Sequence, residues 1–255
     1  MNSVVVIVPI YQAHLSELEH FSLKHSLAQI KPGRAILFAG PEGLDLSQYA
    51  DAFPGIPFVA FPKSSFESIQ GYSRLLLSKP FYERFDEHDF MLILQTDAIL
   101  LKDDLDTWCD GPYDYVGAPW PDGIEIFVNL GKFEGAFGKK VRTHVGNGGL
   151  SLRRISKCIA LLDEFPEAVE LFDKTGSSED IFFGVMGALS LNFIMPAEIT
   201  ASTFAMELQP DYYYSVNNHC APMGGHAWWK YNPGFWLDLL GPHADAIRTK
   251  LPALA

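Results

Sequence analysis

Positive charge is scarce in this sequence, which carries 19 Lys and Arg residues against 31 Asp and Glu residues and a formal net charge of -12. No basic run of five or more residues occurs. Because a nucleic-acid partner requires clustered Lys and Arg to neutralise its phosphates, the composition argues against that class of partner, and we expect none. An acidic protein still binds a nucleotide where a metal ion or a few local cations offset the phosphates.

Cysteines and long apolar runs are also scarce. The cysteines Cys109, Cys158 and Cys220 form no Cys-x-x-Cys pair, and their odd number fits a reducing compartment better than a disulfide scaffold. The apolar run at residues 4–8 is too short for a signal peptide, and no segment reaches the roughly 18 uninterrupted apolar residues of a membrane span. We therefore expect a cytoplasmic protein without a transmembrane segment. Peripheral association with the inner face of the membrane is an open alternative.

The first hundred residues alternate between strand and helix patterns. Residues 4–10 are apolar and β-branched, which is typical of a parallel strand covered on both faces. Further strands are predicted at residues 35–39, 57–61 and 91–94, and helices at residues 14–29 and 68–85, the second broken at Pro80. This order predicts an α/β fold with a Rossmann-like, mostly parallel central sheet flanked by helices. Residues 119–143 lack clean periodicity and are expected to form an excursion over the cleft.

The strand at residues 91–94 is followed by the polar triplet Gln95-Thr96-Asp97. Burying an unpaired carboxylate costs several kcal/mol, so Asp97 is expected at a strand end that faces a cation or a cleft. The alternative is a capping Asp in a tight turn. Ligands of such sheets bind beyond the carboxyl ends of the strands, where Tyr11, Gly40, Lys63 and Asp97 would all lie.

Two clusters in the second half of the sequence are candidates for function, one for close approach of a ligand and one for acid–base chemistry. The glycines of residues 146–153, including Gly148 and Gly149, permit close approach of a ligand, although Asn-Gly-Gly is also ordinary turn composition. Residues 177–184 read Ser-Ser-Glu-Asp before an apolar run, which predicts a capped helix N-terminus. An acid at the start of so apolar a helix is a good mount for a general base, and Asp180 and Glu179 are the candidates.

Two other residues have open interpretations. Glu207 ends a candidate strand at residues 203–207 and is equally well explained as a surface glutamate. His226 lies in a Gly-rich loop before Trp228 and Trp229, where a neutral imidazole can close onto a metal that Asp97 also binds. A lone histidine is more often structural, so the assignment of His226 depends on Asp97.

Together these motifs resemble glycosyltransferases of the GT-A fold, and most closely a bacterial family known as a domain of unknown function. The resemblance covers roughly residues 4–229. The motifs that carry it are residues 8–11, the triplet Gln95-Thr96-Asp97 in the place of Asp-x-Asp, residues 146–153, residues 179–182 and His226. In order and spacing they are similar to the metal-dependent inverting members of the beta-1,3-galactosyltransferase and Fringe type.

The resemblance implies direct displacement on a nucleotide-sugar donor, with a UDP-sugar as first expectation and a glycan or glycolipid hydroxyl as acceptor, in bacterial surface polysaccharide synthesis. By similarity, Asp97 and His226 would hold Mn²⁺ or Mg²⁺, which stabilises the leaving diphosphate. Asp180 would deprotonate the acceptor hydroxyl, with Glu179 as the competing base. Residues 1–255 would form a single domain, with a nucleotide-binding half at residues 1–101 and an acceptor and catalytic half at residues 102–240.

By the same resemblance, the donor would lie across the strand ends. The residues assigned to it are Pro9, Tyr11, Lys63, Arg74, Gln95, Thr96, Asp97, Gly148 and Gly149. Among them, Pro9 and Tyr11 would meet the nucleoside, and Lys63 and Arg74 would contact the phosphates or the base.

One departure from the family pattern affects the metal. The first acid of the motif is replaced by Gln95, which hydrogen-bonds a hydroxyl but is a poor metal ligand. Metal binding would then depend on Asp97, His226 and the substrate itself, and metal-independent transfer stays open.

Other functions fit parts of the sequence. A nucleotidyltransferase would carry Gly and Lys or Arg directly after the first strand, and residues 9–13 contain neither. A non-catalytic carbohydrate-binding module would use Trp228, Trp229 and the tyrosines at 212–214 as stacking platforms. A retaining glycosyltransferase stays open, as does a carbohydrate hydrolase, which also uses paired carboxylates.

Overall fold

The structure is a computed structural model that describes residues 2–128 and 139–251. The strands in these residues are β1 Val4–Pro9, β2 Ala35–Pro41, β3 Phe58–Phe61, β4 Phe90–Leu94, β5 Ile99–Leu100, β6 Tyr115–Gly117, β7 Pro119–Val128, β8 Lys139–Val145, β9 Leu150–Arg154, β10 Ala205–Met206 and β11 Gly224–Gly225. The α-helices are α1 Glu17–Gln29, α2 Ser47–Ala52, α3 Ile69–Leu76, α4 Lys79–Glu83, α5 Leu105–Asp110, α6 Ile155–Glu164, α7 Pro166–Thr175, α8 Glu179–Leu189, α9 Glu198–Phe204, α10 Pro210–Val216, α11 Pro233–Leu240 and α12 Asp245–Arg248. Short 3-10 helices lie at Lys63–Ser65 and Gly241–Ala244.

The central sheet has six strands in the order β3-β2-β1-β4-β9-β6. The first four are parallel, and β9 runs antiparallel to both of its neighbours. Every residue of β1 is buried, with Val5 and Ile7 in one core cluster and Val6 and Val8 in another. Successive side chains of a strand point to opposite faces, so both faces of the sheet are covered. The predicted mostly parallel α/β sheet is confirmed.

A second sheet ties the C-terminal part of the chain to the end of β4. Its order is β10-β11-β5, and Gly225 of β11 pairs with Ile99 of β5. Glycine is needed in this position because a Cβ on Gly225 would lie 2.1 Å from the ring of Trp236. The pairing places His226, the residue after β11, beside the turn that leads into β5.

The segment predicted as an irregular excursion forms a hairpin in its described residues. β7 and β8 pair antiparallel, with Ile124 opposite Thr143 and Ile126 opposite Val141. The sequence did not predict these strands because a register shift between Pro119 and Ile124 interrupts the alternation of apolar and polar residues. The placement of this segment over the cleft stays a prediction. Residues 129–138 of that segment lie outside the described residues.

The helix boundaries differ from the predicted ones for local reasons. α1 begins at Glu17 and not at residue 14, because Ser16 and Glu19 form a capping box. The break predicted near Pro80 in the helix at residues 68–85 is present, because α3 ends at Leu76 and α4 begins at Lys79. Pro80 lies in the first turn of α4, where its missing N–H costs no hydrogen bond. Within residues 2–128 and 139–251, no helix is long and apolar enough to cross a bilayer.

Candidate active site

The polar triplet Gln95-Thr96-Asp97 forms a turn at the carboxyl end of β4. The backbone N–H of Gln95 donates to the carbonyl of Gly149, and that of Ala98 donates back to the carbonyl of Gln95. The Thr96 hydroxyl donates to Glu19 Oε1 at 2.8 Å, which joins the turn to the first turn of α1. The tight turn of the second alternative is therefore present, but the hydrogen bonds of the Asp97 carboxylate go to side chains and not to backbone N–H groups of the turn.

Asp97 lies between two cationic side chains. Its Oδ1 is 3.2 Å from His226 Nε2, and its Oδ2 accepts from Lys230 Nζ at 2.7 Å. Burial by itself would raise the pKa of Asp97, but hydrogen bonds and charge from His226 and Lys230 lower that pKa well below its usual range. Asp97 is therefore ionised at neutral pH, with 17% of its side chain exposed.

His226 is held through both ring nitrogens. Its Nδ1 lies 3.0 Å from Glu207 Oε1, and its Nε2 lies 3.2 Å from Gln95 Oε1 as well as near Asp97. Burial lowers the pKa of the imidazole, but the carboxylates of Asp97 and Glu207 outweigh it and raise the pKa to about 9. The ring packs over Gly149, where a Cβ would lie 2.1 Å from Nε2.

Glu179 lies in a buried ion pair. Its Oε1 accepts from Arg153 Nη2 at 3.1 Å, and its Oε2 accepts from the Ser73 hydroxyl at 3.2 Å. The Arg153 side chain is 0% exposed and stacks over the rings of Tyr115 and Phe183. Because both oxygens of Glu179 are engaged, this carboxylate stabilises the local structure and is poorly placed to take a proton.

Asp180, the next residue, has a different environment. It lies in the first turn of α8, where its Oδ1 accepts from the N–H of Ile181 at 2.7 Å. Burial raises the pKa of Asp180 to about 7, and the negative charge of Glu179 adds to the rise. A carboxylate that titrates near neutral pH suits a general base.

A cavity of about 640 Å³ opens beyond the ends of β1 and β4. Its aromatic wall is formed by Tyr11, Phe66, Tyr72 and Trp229, and its polar wall includes Gln95, Thr96, Asp97 and Lys230. The rings of Tyr11 and Tyr72 meet edge to face with centroids 5.5 Å apart. A flat aromatic ligand part and an anionic part could therefore both be held at this edge.

The structure brings some of the predicted site residues together and separates others. Asp97, His226, Gln95 and Gly149 are in contact, and Gly148 lies against Glu179, whose Oε1 would be 2.7 Å from its Cβ. Both glycines thus leave room for side chains of the protein itself.

Besides Gly148 and Gly149, three predicted donor contacts do not line the cavity. Pro9 is buried at the end of β1. Lys63 is exposed on the 3-10 helix Lys63–Ser65, and the guanidinium of Arg74 is paired with Asp173. Their role in donor binding stays a prediction.

Several residues of the site were not identified from the sequence. They are Glu207, which holds His226; Asn147, which donates to Glu207 Oε2 at 2.6 Å; Lys230; and Arg153. Each is joined to its partner across the fold, so no local pattern marks it. The single available signal was Glu207 itself, an acid in an otherwise apolar segment.

The donor set at Asp97 fits a divalent cation in part. Within residues 2–128 and 139–251, no group of three or more His, Cys, Asp or Glu side chains could hold a metal ion. Asp97 Oδ1 and His226 Nε2, which form an ion pair at 3.2 Å, are an oxygen and a nitrogen atom that a divalent cation could share once the imidazole has lost its Nε2 proton. The two residues therefore fit a cation whose other ligands are substrate phosphates and water.

Solved structures with the same fold are glycosyltransferases. Mouse xyloside xylosyltransferase 1 in its apo form is 12% identical, with a TM-score of 0.52 over 88% of this chain and 97% of that chain. An active-site mutant of LgtC is 17% identical, with a TM-score of 0.54 over 93% and 95%. The apo bifunctional glycosyltransferase WbbM is 10% identical, with a TM-score of 0.55 over 99% of this chain and 51% of that chain. The fold is therefore of the GT-A type, as the resemblance implied.

The sequence itself identifies the family. Residues 55–226 match the family described as protein of unknown function (DUF5672), and the chain belongs to that family. This span includes the triplet, the Arg153–Glu179 pair, Glu207 and His226, but not β1 or Lys230. No curated protein matches the sequence.

Proposed function

We propose that this protein is a glycosyltransferase that moves a sugar from a nucleotide-sugar donor to an acceptor hydroxyl. The observation that carries the proposal is the Asp97–His226–Lys230 cluster at the polar wall of the cavity, at the carboxyl edge of a GT-A-type sheet. Ligands of such sheets bind at this edge. A cluster with two cationic side chains and one carboxylate suits a diphosphate, with or without a metal ion.

The donor would lie with its nucleoside against Tyr11 and Tyr72 and its diphosphate near Asp97 and Lys230. The aromatic side chains offer stacking area, and the ammonium of Lys230, 54% exposed, can reach a phosphate. Asp97 and His226 would hold the divalent cation, which would neutralise the charge that develops on the leaving diphosphate. For this the imidazole must give up its Nε2 proton, because only the neutral ring has a lone pair for a metal. A UDP-sugar stays the first expectation.

Asp180 is the proposed general base for the acceptor hydroxyl. Its raised pKa supports the role, since a base that titrates near the working pH is the most effective. Glu179, the competing choice, is held by Arg153 and Ser73. In this scheme the Asp180 carboxylate removes the hydroxyl proton while the acceptor oxygen bonds to the anomeric carbon and the bond to the diphosphate breaks, with inversion.

The acceptor and the stereochemistry are the finer parts of the proposal. The acceptor would be a glycan or a lipid-linked glycan in a bacterial surface polysaccharide. A retaining reaction is the alternative, and the anomeric configuration of the product, measured by proton NMR, separates the two. A product with the anomeric configuration of the donor would exclude Asp180 as the base of a single inverting displacement.

The experiment that tests the proposed function is a thermal-shift screen with UDP, GDP, dTDP and CMP, each with and without Mn²⁺. A ligand at a hundredfold excess over its Kd stabilises the protein by about 2.7 kcal/mol. We expect one nucleotide to raise the melting temperature of the wild type and to have a smaller effect on Asp97→Asn. Lack of any shift with all four nucleotides would contradict the proposal.

A carbohydrate-binding module without catalysis is less well supported. Trp228 and Tyr213, two of its proposed stacking platforms, are 0% exposed, and the Trp228 indole N–H donates to Ser22. They cannot face a sugar. Trp229 and Tyr212 stay accessible, so binding of free oligosaccharides in the absence of nucleotide is the observation that would favour the module.

A further inference from the structure

Glu207 is a buried carboxylate that the proposed chemistry does not use directly. It follows β10, and the residue is 9% exposed. Its Oε2 accepts from Asn147 Nδ2 at 2.6 Å, and its Oε1 lies 3.0 Å from His226 Nδ1. Asn147 Oδ1 in turn accepts from the N–H of Gly149 at 3.1 Å. Glu207 is thus fixed at one oxygen and directs the other at the imidazole.

The backbone of His226 is held by different hydrogen bonds from those that hold its imidazole ring. The N–H of His226 donates to the carbonyl of Met206, next to the pairing of β10 with β11. What is left to fix is the rotation of the imidazole, and only one orientation places Nε2 toward Asp97 Oδ1 and Gln95 Oε1. A hydrogen bond at one ring nitrogen decides which nitrogen is presented to a ligand.

We propose that Glu207 is a positioning residue that holds the His226 ring so that Nε2 faces Asp97 and a divalent cation bound with the diphosphate. The proposal rests on the proposed function, because the cation is expected with a nucleoside diphosphate. Carboxylate partners of metal-bound histidines orient the ring and raise its basicity, and their loss costs about 10- to 100-fold in metal affinity. Glu207 contacts His226 Nδ1 in the way that such a carboxylate contacts a metal-bound histidine, and Asn147 holds Glu207 in place.

The test measures Mn²⁺ affinity by electron paramagnetic resonance of free Mn²⁺, in the presence of whichever of UDP, GDP or dTDP stabilises the wild type most. We expect Glu207→Ala to weaken Mn²⁺ binding about 10- to 100-fold. Glu207→Gln should stay within a few-fold of the wild type, because its amide oxygen still accepts from Nδ1–H. Glu198→Ala is the matched control, since Glu198 also pairs with a histidine, His144 at 3.2 Å, outside the cavity lining.

A double-mutant cycle separates positioning from a general loss of stability. If Glu207 acts through the imidazole, Glu207→Ala should have no further effect on Mn²⁺ affinity in a His226→Ala background. A loss that persists in that background, or wild-type affinity in Glu207→Ala, would overturn the inference. Failure of the wild type to bind any of the four nucleotides would instead overturn the proposed function and this inference with it. Binding of CMP alone would overturn only this inference, because it removes the diphosphate that the cation is expected to accompany.

Discussion

Two ion pairs of this molecule have opposite relations to solvent. The Arg153–Glu179 pair is sealed: the Arg153 side chain is 0% exposed and that of Glu179 is 8% exposed, and the remaining oxygen of Glu179 is bonded to Ser73. The Asp97–Lys230 pair is open: 17% of the Asp97 side chain and 54% of the Lys230 side chain are exposed, and both residues line the cavity.

The difference in exposure indicates that the Arg153–Glu179 pair stabilises the fold and that the Asp97–Lys230 pair is accessible to a ligand. Charges as buried as those of Arg153 and Glu179 depend on each other, because water cannot replace a missing partner. Lys230 can leave Asp97 at little cost, because its ammonium is already hydrated. Catalysis and donor binding are therefore expected to follow the open pair, and stability to follow the sealed pair.

Breaking the sealed pair should have the largest effect on stability. Arg153→Met leaves Glu179 buried without its cation, and we expect a loss of about 3–5 kcal/mol in the free energy of unfolding, measured by urea denaturation. The double variant Arg153→Met/Glu179→Leu should regain part of this loss, since it removes both charges. A single variant as stable as the wild type would show that the pair is not needed for the fold.

Asp180 is the next residue after Glu179 of the buried pair, but we expect it to affect activity. Asp180→Asn should lower the rate of sugar transfer about 10²- to 10⁴-fold. Wild-type kcat/KM should fall as the pH drops below about 7, because protonated Asp180 cannot accept the hydroxyl proton. A wild-type pH profile that is flat between pH 5 and 8 would contradict this role.

The same raised pKa predicts an opposite trend in stability. Folding favours protonated Asp180, so the wild type should lose stability as the pH rises from the usual carboxyl range to about 7. Asp180→Asn removes this loss and should melt at a higher temperature than the wild type above pH 7. Differential scanning calorimetry of both proteins at pH 5 and pH 8 checks the sign, and a melting temperature of Asp180→Asn below that of the wild type at pH 8 would contradict it.

A smaller loss of stability is expected from a side chain at Gly149, which lies against His226 beside the Asp97–Lys230 pair. Gly149→Ala places a Cβ where His226 Nε2 now lies, so the ring must move away from Asp97. We expect a loss of about 1–3 kcal/mol in stability, together with weaker Mn²⁺ binding. Gly33→Ala is a control for the glycine change itself, because no atom lies within 4 Å of its Cβ, although its positive φ adds strain. Unchanged metal binding in Gly149→Ala would show that the ring position is not critical.

Lys230→Met should have the smallest effect on stability, within about 1 kcal/mol, because the pair is exposed. Donor affinity, measured by calorimetry, should fall by about tenfold or less, equivalent to roughly 1.4 kcal/mol or less. A stability loss as large as that of Arg153→Met would remove the distinction between the two pairs.

The sequence predicts the strands and the turn that carry the site better than it predicts the side-chain contacts within the site. The apolar run of β1 and the polar break at Asp97 are local signals, and the structure places both at the central sheet. His226 was linked to Asp97 as a shared metal ligand, first from its Gly-rich loop and then by the resemblance. The two side chains are 3.2 Å apart, and the metal role stays a proposal.

The contacts that complete the site could not be read from local patterns. Glu207 and His226 are 19 residues apart, and Arg153 and Glu179 are 26 residues apart. An acid in an apolar segment was the one local signal at Glu207, and it supported a surface position and a functional role equally. The β7–β8 hairpin was missed for a different reason, because its register shift removes the alternation that identifies a strand.

The distance along the chain between Asp97 and its cations bears on how the protein is made. Lys230 follows Asp97 by 133 residues, so a ribosome adding about 5–20 residues per second makes Lys230 on the order of ten seconds later. By then the parallel strands β1 to β4 have emerged, while the antiparallel pairing of β5 with β11 must wait. A nascent chain therefore carries Tyr11, Phe66 and Tyr72 before Trp229 and the cations, so the proposed donor pocket is complete only after Lys230 has been made.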